Sequence, residues 1–279
     1  MNTNTLIRQF AAIGAELNIT VQQATPSRRV VPARLNSAQD FTLDIAKRKG
    51  REVFTLLLQP DALDTLDMLA VDVQPKRRHL LLLAKPLVGS GDKQKFLCGH
   101  DERHWFVASV PDADHVAQVE DAMEALKPFP VRLSQRQHRV KSKDWNARHN
   151  AGFVRQGEWF FLPMPNFTPP NANLVLEDEP IRRGGGKPHM VEHLYRHGGT
   201  RVYVHRNYYP NGLTEPQYRA LLLRKPEAHS WPWNVMQRNP AVYALGKIRH
   251  PDHATLTLPF WNRVVMSQEK NAVNVAFLD

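Results

Sequence analysis

The sequence predicts an α+β protein, mostly antiparallel β-sheet with a few short helices, arranged as two subdomains. Three observations carry that expectation. Short leucine- and valine-rich runs recur, as at Thr55-Leu56-Leu57-Leu58 and Leu80-Leu81-Leu82-Leu83, and Pro, Asp and Lys/Arg turns separate them. Helical periodicity is confined to brief stretches, with no internal repeat and no low-complexity tract. The 279 residues, 42% of them hydrophobic, suffice for one large domain or two ordinary ones.

In chain order, residues 6–17 place Leu6, Phe10, Ile13 and Leu17 at helical spacing, and 18–22 read as extended. Strands are expected over 41–45, 52–59, 68–73, 79–84, 96–98 and 105–110. Residues 112–126 are the clearest helix of this half. Asp112 or Asp114 suits its N-cap, Val116, Val119, Met123 and Leu126 line its inner face, and Pro128 lies just beyond its end. Residues 1–135 thus read as a β-rich domain with flanking helices. Residues 136–150 read as a basic linker or arm, because 136–148 carry five Lys/Arg against one acid.

Residues 151–279 read as a second β-rich domain that contains most of the histidine motifs. A strand pair or buried strand is expected over 153–162, around Trp159-Phe160-Phe161, followed by a Pro/Asn-rich loop over 163–173. Pro188 starts a predicted short helix over 188–197 that Gly198-Gly199 stops. A strand over 200–206 and a helix over 215–223, capped by Thr214, come next. Strands over 242–249, 254–258, 263–267 and 273–278 complete the chain.

Lys and Arg outnumber Asp and Glu 37 to 27, giving a net charge of +10, which favours contact with polyanions. Cys98 is the only cysteine, so no intrachain disulfide exists. Residues 1–9 lack the apolar core of a signal peptide, and no apolar run approaches the roughly 20 residues of a membrane span. A cytoplasmic protein without a membrane partner is expected.

The segment Gly184-Gly185-Gly186-Lys187-Pro188-His189-Met190-Val191-Glu192-His193 points most clearly towards chemistry. On a helix, His189, Glu192, His193, Arg196 and His197 share one face, so two imidazoles can hold one metal ion while Glu192 polarises a water. The His-x-x-Glu-His spacing is that of the inverzincin motif, but no long second helix offers the third ligand. His250, His253 and Glu269 are candidates by residue type. The His250-Pro251-Asp252-His253 turn is the best supplier, since two histidines bracket an acid there. The glycine run lacks Walker A spacing, yet free backbone N–H groups beside Arg182, Arg183 and Lys187 suit an anion.

Other clusters are weaker. Cys98, His100 and His104 lie close in sequence without a known zinc spacing. Aromatic and basic residues mingle around Arg201, Tyr203, Arg206, Tyr208 and Tyr209, around Trp231, Trp233 and Arg238, and at Trp261 and Arg263. That mixture suits base stacking, and equally a core. The phrases GHDERHWFVA, RQGEWFFLP and KIRHPDHATL read as motifs, and no family resemblance is drawn from them.

The resulting expectation is a nucleic-acid-associated phosphodiester hydrolase with a histidine-rich centre. Zinc is the favoured divalent ion, on His189, His193 and His253. Glu192, His250, Asp252 and Arg196 form the catalytic set. Arg139, Lys141, Lys143, Arg182, Arg183 and Lys187 are the nucleic-acid contacts, with RNA and DNA fitting equally. The alternatives are a non-catalytic basic RNA/DNA-binding protein and a pH-responsive interaction protein. The sequence does not define an oligomeric state.

Overall fold

The computed structural model describes residues 1–22, 40–87, 93–111, 113–183 and 187–269. Helix α1 (Thr3–Ala12) starts behind Asn2, whose side chain accepts the Thr5 N–H at 3.1 Å, and it buries Leu6 and Phe10. Strands β1 (Leu17–Val21), β2 (Phe41–Arg48) and β3 (Arg51–Leu58) form a three-stranded sheet in the order β1-β3-β2, with β1 parallel to β3. Past α2 (Ala62–Thr65), strands β4 (Leu66–Gln74), β5 (His79–Pro86), β6 (Gln94–Asp101) and β7 (His104–Ser109) pair antiparallel in sequence order.

The leucine run of β5 is buried on both faces. Leu80 and Leu82 join the core that holds Leu6, Phe10, Phe54 and Phe96, while Leu81 faces Leu97, Val119, Ala122 and Leu126 beneath α3 (Val119–Ala125). The predicted 112–126 helix divides: a 3₁₀ turn (Ala113–His115) precedes α3. Asp121 caps α3 by accepting the Ala117 and Gln118 N–H groups, each at 3.0 Å, and Asp72 accepts that of Val119 at 2.8 Å. Helix α4 (Phe129–Gln137) follows Pro128. The basic segment after it contains a 3₁₀ turn (Ser142–Asp144), and Lys127 Nζ donates to Trp145 O at 2.9 Å and Asn146 Oδ1 at 2.7 Å.

The remaining strands are β8 (His149–Asn150), β9 (Phe153–Gln156), β10 (Trp159–Pro163), β11 (Leu176–Ile181), β12 (His189–His197), β13 (Thr200–His205), β14 (Tyr209–Thr214), β15 (Asn234–Arg238), β16 (Ala241–His250) and β17 (His253–Met266). Seven of them form one antiparallel sheet in the order β11-β12-β16-β17-β10-β9-β8, packed around Phe161, Val191, Leu194, Ala244 and Ile248. Strands β12 and β16 pair from Met190 with Arg249 to His197 with Ala241, so residues 198–240 are an insertion between paired neighbours. The insertion folds as its own sheet, β14-β13-β15, beside α5 (Glu215–Arg224), where Thr214, the expected cap, forms a capping box with Gln217.

The fold is thus α+β and mostly antiparallel strand, and no helix among the described residues is long and apolar enough to cross a membrane. One element is corrected: residues 189–197 are a strand, not a helix. A β-bulge between Val191 and His193 shifts the register, so buried Val191, Leu194 and Tyr195 fall at the i, i+3, i+4 spacing of a helix. Pairing with both β11 and β16 outweighs a helical tendency that is marginal in so short a segment. Strands β11, β14 and β15 were not expected, the two expected over 254–258 and 263–267 are one long strand, and the predicted strand over 273–278 lies outside the described residues.

Candidate metal centre

Three neighbouring strands bring three histidines to one end of the large sheet. His189 opens β12, His250 closes β16 and His253 opens β17. His250 and His253 face each other across the Pro251-Asp252 turn, where the Pro-Asp pair favours a tight reversal. Pairing of Met190 with Arg249 sets His189 level with His250. One ring nitrogen from each of the three lies within 4.8 Å of those of the other two. The His189 ring stacks on His250 with centroids 4.2 Å apart, and the His250 and His253 centroids are 4.8 Å apart.

His189 is fully buried, and neither of its ring nitrogens has a hydrogen-bond partner among the described residues. A buried polar group without a partner carries an uncompensated desolvation cost, so it calls for an explanation. Burial, then repulsion from His250 and His253, pushes its pKa down to about 3. Burial followed by the same His250 repulsion lowers that of His253. His189 is therefore neutral at ordinary pH, with a lone pair free to bind a metal. Three imidazoles leaving one coordination position open are a recurrent catalytic zinc arrangement, and imidazole also suits copper, nickel and iron.

Gly157, in the turn between β9 and β10, closes the other side. A Cβ there would lie 3.1 Å from His253 Nε2 and 3.2 Å from His189 Nε2, and its φ of +57° is left-handed. Buried Gln156 ties this turn to the histidine hairpin by donating to Ala254 O at 2.6 Å. Glu102 Oε2 stands 3.8 Å from His253 Nδ1.

Of the three, His253 lines a cavity of about 280 Å³ between the large sheet and the two N-terminal sheets. The phrases singled out in the sequence converge on its wall: Asp101 and His104 from GHDERHWFVA, Arg155, Gly157 and Glu158 from RQGEWFFLP, and Asp252 and His253 from KIRHPDHATL, with Lys187 beside them.

The other predicted site residues are dispersed. Rise along a strand sets His193 about 13 Å from His189, so the two cannot share a metal ion. Glu192 accepts the Lys247 N–H at 2.7 Å and occupies the space a Gly246 side chain would fill, which makes it a bulge-bracing residue. Arg196 pairs with Glu179 at 2.9 Å near the far end of β12. Asp252 does reach the cavity, where its carboxylate meets Lys187 at 2.6 Å. Burial pushes its pKa up, but the bond and charge of Lys187 outweigh this and leave it below the ordinary value. Its backbone N–H donates to His250 Nδ1 at 3.2 Å.

Arg183 pairs with Glu269 at 2.5 Å, so Glu269 serves as a counter-ion and not as a metal ligand. Arg182, Arg139, Lys141 and Lys143 are exposed, and residues 184–186 lie outside the described residues. Cys98 is a core residue whose thiol pKa burial drives up. The insertion's aromatics stack on one another half-buried, with Tyr203 on Tyr218 at 4.0 Å and Trp233 against Tyr218 at 5.0 Å, while Tyr208 is 64% exposed. Sequence reasoning missed Gly157, Arg155 and Glu52; only the motif-like phrasing around the first two signalled them.

These features define a three-histidine cluster of metal-site geometry at the edge of a cavity. Comparison with family models, with curated proteins and with solved structures returns no match.

Proposed function

We propose that this protein is a metal-dependent hydrolase whose His189, His250 and His253 hold one divalent ion facing the cavity, with zinc favoured by the donor set. The observation that carries the reading is His189, fully buried with no partner for either ring nitrogen among the described residues, beside His250 and beside His253, which lines the cavity. A bound zinc ion lowers the pKa of its water to about 7 and so supplies a nucleophile near neutrality. Because the Asp252 N–H occupies His250 Nδ1, the His250 nitrogen that would hold the ion is Nε2, and its ring proton would then sit on Nδ1 in place of that bond.

Arg155 and Lys187 line the same cavity and are cations that an anionic substrate would meet among its carboxylates, with a phosphodiester as the working class. Exposed Arg139, Lys141, Lys143 and Arg182 and the net charge of +10 favour a polyanionic one such as nucleic acid. Elemental analysis of protein purified without chelators is the test. About one equivalent of zinc per chain is expected, lost in His189→Ala and His253→Ala. Hydrolysis of bis(p-nitrophenyl) phosphate should stop with chelator and return with zinc. Protein that arrives metal-free and binds no zinc on titration overturns the reading.

A further inference from the structure

We propose that His104, oriented by Glu52, is the proton donor to the leaving group at this centre, an inference that rests on the hydrolase reading above. Glu52 lies on β3 and His104 opens β7. The Glu52 Oε1 to His104 Nδ1 distance is 2.5 Å, and Glu52 Oε2 accepts the Trp105 N–H at 2.8 Å. Both carboxylate oxygens are engaged, so the carboxylate is fixed and in turn fixes the ring. A carboxylate on Nδ1 sets the tautomer and leaves Nε2 as the nitrogen that exchanges a proton with a guest.

Position supports the same role. Glu52 and His104 line the cavity from the N-terminal sheets, while His253, Lys187 and Asp252 line it from the large sheet. A guest between them would meet His253, one of the three clustered histidines, on one side and the His104 imidazole on the other. His104 and Glu52 also line a second hollow, with Gly14, Arg51 and Arg103, which gives His104 a route to solvent for recovering its proton. Three of the cavity's five carboxylates, Asp101, Asp252 and Glu269, each sit with a cation, namely Arg148, Lys187 and Arg183. Protonating any of them breaks that pair, so they are poor donors.

The step balances as one hydrolysis. A water oxygen forms a bond to phosphorus as the bond from phosphorus to the leaving oxygen breaks. The proton on His104 Nε2 passes to that oxygen, which departs as an alcohol. The attacking water gives up a proton to solvent, and solvent returns one to His104.

Leaving-group dependence tests this. A p-nitrophenolate leaves without a proton, whereas the alkoxide of a dinucleotide needs one. With zinc retained, His104→Gln should lose roughly 10²- to 10³-fold in kcat on a dinucleotide and under about fivefold on bis(p-nitrophenyl) phosphate. Glu52→Gln should show the same asymmetry at smaller size. Equal losses on both substrates, or no loss on the dinucleotide, in zinc-loaded and folded variants, sink the assignment and leave the metal hydrolase standing. Zinc-loaded wild-type protein that cleaves neither substrate overturns both.

Discussion

Gly157→Ala is the sharpest perturbation of the centre, because its two costs separate. The first is backbone strain: at a φ of +57° an alanine side chain costs about 1 kcal/mol relative to glycine. The second is crowding. The new methyl group would sit 3.1 Å from His253 Nε2 and 3.2 Å from His189 Nε2, so the imidazoles must retreat by a few tenths of an ångström. Metal–nitrogen distances of about 2.0–2.1 Å hold to within about 0.2 Å in sound sites, so that retreat consumes the tolerance. We expect zinc affinity to fall at least tenfold, which corresponds to about 1.4 kcal/mol. Gly50→Ala is the control, because its φ is +78° and no atom lies within 4 Å of the new Cβ. It carries the backbone cost alone and should bind zinc normally. Competition with a chromogenic chelator measures both affinities, and chemical denaturation with chelator present measures both stabilities. If Gly157→Ala binds zinc as tightly as Gly50→Ala, the glycine does not border a metal position and the three-histidine reading loses its geometric basis.

Further outcomes follow from the same geometry. His189→Leu replaces a buried unsatisfied imidazole with an apolar side chain of similar size, so the metal-free protein should gain about 1–3 kcal/mol in denaturant unfolding while all stabilisation by zinc disappears. Metal-free wild-type protein should lose stability as pH falls below about 6.5. The His189 pKa is lowered to about 3 in the fold, so between these values the unfolded chain binds the extra proton, at about 1.4 kcal/mol per pH unit. His79, also lowered by burial, adds to the trend, and a pH series of melts in which His189→Leu shows no shallower slope would contradict it. Glu192→Gln should keep zinc and change stability by no more than about 0.5 kcal/mol, since an amide oxygen still accepts the Lys247 N–H. Loss of zinc in that variant would return Glu192 to the centre.

The strands of the first half were readable because turn residues bound them and their apolar runs are short, as at Leu56 to Leu58 and Leu80 to Leu83. The segment from His189 to His197 misled because a single bulge turned a strand's alternation into helical spacing, and no local signal separates the two. His250 and His253 were linked in the sequence by the turn between them, and His189 by its motif. Their meeting depends on β12 lying beside β16 across a 43-residue insertion (198–240), which only the pairing reveals. Glu52 could not be read at all, because its partner His104 lies 52 residues away and joins it only through the packing of two sheets. Arg196 and Glu192 looked catalytic by type, but their nearest opposite partners were Glu179 and a backbone N–H.

The insertion at 198–240 leaves β12 at His197 and re-enters β16 at its partner Ala241, while the histidines stand at the opposite ends of the same two strands, about 26 Å away along β12. The two strands therefore act as a ruler with chemistry at one end and a detachable module at the other. Because the chain departs and returns at paired positions, a two-residue turn can replace the whole module without disturbing the ladder that holds His189 and His250 together. A small molecule bound at the histidines cannot touch the module's attachment point, whereas a polymer lying along the strands spans both.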